Sequence, residues 1–85
     1  MSAGQTLERA SNILAERAAA YGDASASMSA IAARWSLTLG HAVTPAQVAL
    51  CMIDLKLARL AHDPDYQDGP IDVIGYAAIF AGLRR

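Results

Sequence analysis

Concentrated charge of one sign is absent from this sequence: seven basic and eight acidic residues leave a formal net charge of −1 over 85 positions, and they are scattered. A polymeric nucleic acid is therefore not an expected partner, because binding along a phosphate backbone takes a run or stripe of cations. Cysteine is nearly absent too. The single Cys51 excludes an intrachain disulfide, and its apolar neighbours Leu50 and Met52 predict a buried thiol in a reducing compartment, which the cytoplasm fits best. No long hydrophobic run is present. The longest uncharged stretch, Trp35 to Ile53, is broken by Gly40, His41, Thr44, Pro45 and Gln47, so no membrane segment is expected. Met1 to Leu14 carries polar residues where an export signal would need its apolar stretch, and export is not indicated.

Several chemical signatures are missing as well. The chain has no HExxH, no paired CxxC and no phosphate-cradling GxxxxGKS/T, and His41 and His62 have no partner at metal-ligand spacing. No nucleophile stands beside an evident base. The residues thus assign no catalytic group, no resident metal and no cofactor.

What is present is alanine. Apolar residues make up 54% of the chain, but nineteen are alanine, so bulky core formers such as Ile13, Leu14, Ile31, Trp35, Leu55 and Phe80 are few. A domain of this length buries only about 60–65% of the surface its unfolded chain exposes, and a helical partner would help it.

Apolar periodicity and capping residues predict one all-α domain of four helices spanning 1–85. Ser2 and Gln5 have capping-box spacing, and Leu7, Ala10, Ile13, Leu14 and Ala18 then recur at helical period to about Ala20. Tyr21-Gly22-Asp23 supplies the stop, with Asp23 or Ser25 capping a second helix over about Ala24 to Leu39, whose Met28, Ile31, Trp35 and Leu39 share a face. Gly40 ends it. Thr44-Pro45-Ala46-Gln47 starts a third helix, with threonine as cap, proline at the first helical position and glutamine closing the box. His62-Asp63-Pro64 ends that helix, and Asp68-Gly69-Pro70 begins a fourth, running to about Leu83. Gly75 inside it costs roughly 1 kcal/mol relative to alanine, which suggests close approach of another backbone or of a ligand.

From Val48 to Leu60 the third helix is apolar on every side, interrupted only by Asp54, Lys56 and Arg59. A helix apolar all round must be covered all round. Three alanine-rich neighbours in one chain can hardly do that, so the expected architecture is a helical bundle completed by homo-oligomerisation, at least a dimer.

Candidate binding residues each have a bland alternative. Lys56 and Arg59, three apart, could together hold a phosphate or pyrophosphate, or they could snorkel or pair with carboxylates. Asp68 and Asp72 begin the fourth helix, where the helix dipole favours acids. The functional alternatives are an ion pair that orients Lys56 or Arg59, or a weak Mg²⁺ site. Tyr21, Tyr76 and Trp35 could stack on a base or hydrogen-bond a sugar, or they could be core. Arg17, one turn before Tyr21, could contact a phosphate at a subunit interface or pair with Asp23.

The order Glu16-Arg17, Tyr21-Gly22-Asp23, Trp35, Thr44-Pro45, Lys56, Ala58-Arg59-Leu60, Pro64, Asp68, Asp72 and Gly75-Tyr76-Ala77 resembles a family of short phage and prophage proteins of unassigned function. The combination YGD, KxARL and DxxxDxxGYA carries the resemblance over nearly the whole chain. More remotely the order of elements is similar to nucleotide-modification-associated phage proteins and to the all-α nucleoside triphosphate pyrophosphohydrolases of the MazG type. The latter resemblance implies an oligomer that binds Mg²⁺ through acidic helices. The ExxE and ExxD pairs of those enzymes have no counterpart here, where only Asp54, Asp68 and Asp72 are on offer.

A shared scaffold without the metal-binding acids implies nucleotide binding without turnover, in the cytoplasm of a bacterial host. One use of such a protein is to sequester nucleotide immune signals of the cyclic oligonucleotide or cyclic ADP-ribose kind. The expected ligand-binding residues are Lys56, Arg59, Tyr21, Asp72, Tyr76 and Arg17. Two alternatives stand beside this reading: a module that binds and inhibits a host protein, and a Mg²⁺-dependent nucleotide pyrophosphohydrolase.

Overall fold

Four helices account for most of residues 1–83, which the computed structural model describes. They are α1 (Ala3–Tyr21), α2 (Ala24–Leu39), α3 (Pro45–His62) and α4 (Asp68–Leu83), and the described residues contain no strand. Local chemistry explains each boundary. At α1 the Gln5 N–H donates to Ser2 Oγ over 3.2 Å and the Ser2 N–H to Gln5 Oε1 over 2.9 Å, so two otherwise orphaned donors are satisfied reciprocally. Thr44 and Gln47 repeat the arrangement at α3, at 3.1 and 2.9 Å, with Pro45 at the first helical position. Of the two caps open for α2, Asp23 is used. Gly40 closes α2 at φ 76°, in the left-handed region where a side chain would be strained.

α3 and α4 form the most extensive helix pair. α2 packs on α3 and more lightly on α4, whereas α1 packs chiefly on α4. The centre lies where α2 meets α3: Met28, Ala32, Val48 and Ala49 are buried, with Ile31, Trp35, Met52, Tyr76, Ile79 and Phe80 packed around them. The α2–α3 turn is tied down by Ser36, whose hydroxyl accepts from the Val43 N–H at 2.8 Å and donates to the Ala32 carbonyl at 2.7 Å. Gly69 is buried because Leu60 lies across it; a Cβ there would stand 2.5 Å from Leu60 Cδ2 and 2.6 Å from Cγ.

The core is smaller than the composition suggests. Its buried hydrophobic residues are Ala10, Met28, Ala32, Val48, Ala49 and Ile71, four of them alanine or valine. Of the bulky residues expected to form it, Ile13, Leu14, Ile31, Trp35 and Phe80 are only half-buried and Leu55 is exposed. Leu39 shares a helical face with Met28 but lies beyond the end of the packing, and it is exposed. The thiol of Cys51 is exposed, not buried, because sequence neighbours on a helix point in different directions and Leu50 is itself exposed. The chain has a radius of gyration of 13.6 Å and extents of 41 × 31 × 23 Å, against about 12 Å for a compact domain of this length.

Candidate functional site

Because α1 leans on α4 and only lightly on the rest, a cleft opens between α1, the start of α2 and one face of α4. Its volume is about 450 Å³. Residues four apart on a helix share a face, and two such pairs meet here. Arg17 and Tyr21 come from α1, and Asp72 and Tyr76 from α4. Between them the lining is apolar, with Ile13, Leu14, Met28, Ile71 and Ile79 among its members, and Ser27 adds a hydroxyl from α2. Tyr21 stands at the mouth, 86% exposed, while Tyr76 is half-buried against the core.

Gly75 also lines the cleft. Of the two expectations there, approach of another backbone or of a ligand, the backbone approach is not present among the described residues. The nearest atom a Cβ would meet is Leu14 Cδ2 at 3.9 Å, an ordinary van der Waals contact. The missing side chain instead keeps the cleft open.

Lys56 and Arg59 go separate ways. Lys56 Nζ lies 3.3 Å from Asp72 Oδ2, with the two side chains only 13% and 14% exposed, so the lysine does not line the cleft but touches a carboxylate that does. Arg59 is exposed and lines a shallower groove with Ala58, His62, Asp63 and Tyr66. Of the six expected residues, four thus converge on one cleft, Lys56 touches one of them, and Arg59 lies elsewhere in the chain.

Arg17 has no carboxylate within 4.0 Å among the described residues. The expected alternative partner, Asp23, is occupied: its carboxylate accepts hydrogen bonds from the Ser25 hydroxyl and, at 3.1 Å, from the Ser25 N–H. These two bonds, the hydroxyl's first, hold the Asp23 pKa below its ordinary value of 3.8. Among the described residues no three His, Cys, Asp or Glu side chains converge as metal ligands, and no helix is long and apolar enough to cross a membrane.

Sequence reasoning missed Ser27 and the apolar lining as parts of a site. Spacing within one helix shows which residues are neighbours on that helix, but not which three helices enclose a space. The available signal was the coincidence of two i, i+4 polar–aromatic pairs with a mid-helix glycine.

No solved structure matches the chain. Over 70 residues, 81% of its length, it is 39% identical to "Gene 55 protein" of Mycobacterium phage L5. The match covers 45% of that relative, so the chain spans just under half the length of the curated protein it resembles. The family model for DUF6378, a domain of unknown function, matches residues 5–84, and on that near-complete match this chain belongs to the DUF6378 family.

Proposed function

We propose that this protein binds a nucleotide in the cleft between α1 and α4 and holds it without turnover, working as a homo-oligomer. The observation that carries the reading is the convergence of Arg17, Tyr21, Asp72 and Tyr76 on one apolar cleft of about 450 Å³. That volume lies in the range of small-molecule sites, which combine apolar walls with a few convergent polar groups. In this arrangement the Arg17 guanidinium takes a phosphate by its planar fork. Tyr21 stacks on the base at the mouth, and the Tyr76 hydroxyl or the Asp72 carboxylate takes a sugar hydroxyl. Lys56, oriented by Asp72, adds a second cation behind the carboxylate. Arg59, on the separate groove, would meet the same ligand only from another subunit.

Hydrolysis is left out of the proposal because the sequence carries neither the ExxE nor the ExxD pair that Mg²⁺-dependent pyrophosphohydrolysis uses. A relative from a phage supports placing the ligand among nucleotides made by an infected bacterium, including immune signals of the cyclic oligonucleotide or cyclic ADP-ribose class, which the protein would sequester in the cytoplasm.

Native mass spectrometry of the protein purified from infected cells tests this, because one spectrum gives subunit number and the mass of any retained ligand. An oligomer carrying a nucleotide-sized adduct, released chemically intact on denaturation, is the expected result. An adduct-free protein that also binds nothing in calorimetry with a panel of linear and cyclic nucleotides overturns it. That outcome favours the second reading, a module that binds a host protein, for which the exposed Leu37 of α2 and Leu55 of α3 speak.

A further inference from the structure

We infer that Ala46, Leu50, Ile53, Leu57 and Leu60 of α3 form the seam along which two copies of this chain pair. The inference rests on the homo-oligomeric part of the proposed function and identifies the surface that would build it. These five residues are spaced four, three, four and three apart, the a and d positions of a heptad, and so fall on one narrow stripe of the helix. The stripe carries no charge. Lys56 points instead to Asp72 on α4, and the exposed residues along the stripe's outer side are Gln47, Asp54 and Ala61. Within one chain the stripe is incompletely covered: Leu50 is 44% and Leu57 49% exposed, and Ala46, Ile53 and Leu60 are half-buried.

Surface area favours a second copy as the occupant. The chain exposes 5856 Å² for a mass of 8.9 kDa, where a folded monomer of that mass exposes about 4,800 Å². The excess of roughly 1,000 Å² belongs to the whole chain, the cleft beside α1 included, and it leaves room for the ~800 Å² that each partner of a standard stable interface buries. A heptad-spaced stripe is complementary to another helix of the same period, and an uncharged one does not repel its own copy. A lipid surface fits less well, because an interfacial helix carries Lys or Arg along its polar flank, and this flank carries Asp54.

Sedimentation velocity across the micromolar range decides the matter for three proteins: wild type, the double variant Leu50→Glu with Leu57→Glu, and Leu37→Glu as an exposed leucine off the stripe. The expected result is an assembled wild type and an assembled Leu37→Glu protein. The double variant should keep its helical circular dichroism while its dissociation constant rises about a hundredfold or more. A double variant that assembles like wild type overturns the seam and leaves the homo-oligomer standing. A monomeric wild type overturns both.

If the double variant fails to fold, Ile53→Cys in a Cys51→Ala background replaces it, because the midpoint of the stripe meets its own copy whether the helices run parallel or antiparallel. Oxidation should link that protein into covalent dimers faster than it links Leu37→Cys in the same background. Equal rates overturn the seam.

Discussion

Lys56 of α3 and Asp72 of α4 meet across the largest helix interface of the chain, Nζ to Oδ2 at 3.3 Å, with each side chain mostly withdrawn from water. Removing one member strands the other's charge where hydration is poor. Asp72→Ala should destabilise the fold by about 2 kcal/mol, read as a lowered urea midpoint with an unchanged slope. Lys56→Met combined with Asp72→Leu should recover most of the loss, since an apolar pair leaves no charge unpaired. Equal midpoints for wild type and Asp72→Ala would show that water reaches the pair.

Two glycines of α4 should respond oppositely to alanine. At Gly69 the new Cβ would run into Leu60 Cγ and Cδ2, and overpacking of this kind costs about 1–3 kcal/mol. Thermal unfolding of Gly69→Ala, Leu60→Ala and the double variant should therefore show strong non-additivity, because the two changes share one contact. Additive losses would argue that Leu60 moves aside freely.

At Gly75 the same methyl finds room, with Leu14 Cδ2 at 3.9 Å, and alanine gains helix propensity. Gly75→Ala should stabilise the protein by about 0.5–1 kcal/mol. The methyl also narrows the cleft, so nucleotide binding should weaken in the same variant. Raised stability with unchanged nucleotide affinity would remove Gly75 from the site.

Arg17 and Tyr21 are exposed residues at one edge of the cleft, so replacing either by alanine should move stability by no more than about 0.5 kcal/mol. If the cleft holds a nucleotide, calorimetry should show each change weakening binding about tenfold or more, Arg17→Ala through the phosphate and Tyr21→Ala through the base. Unaltered affinity in both variants would place the ligand elsewhere.

Asp23 couples the start of α2 to pH. Its folded pKa is held below 3.8 by the Ser25 hydroxyl and N–H. The unfolded chain therefore takes up the proton first as acid is added. The contribution is complete above the ordinary carboxylate value and is lost as pH falls through the lower folded one. Melting temperatures of wild type and Asp23→Ala should converge in that acid window and differ above it. Asp23→Asn, which keeps a cap acceptor, should flatten the pH dependence without removing the helix end.

The amino-acid sequence by itself determined the four helices and their ends. Capping boxes at Ser2 and Thr44, the stop at Gly40 and the proline at the head of α3 act over four or five residues, and such local hydrogen bonds depend little on what packs nearby. The tertiary structure decided everything that depends on which helices touch. It buried Val48 and Ala49 while leaving Leu55 and Cys51 at the surface, although all four are apolar residues of one helix. It turned Lys56 toward Asp72 and left Arg59 on another groove, although the two are only three positions apart. It also drew Arg17 and Tyr21 of α1 toward Asp72 and Tyr76 of α4. A helix with apolar residues on every side has no single face that its sequence marks as inward, so only the angle and order of packing could choose among them.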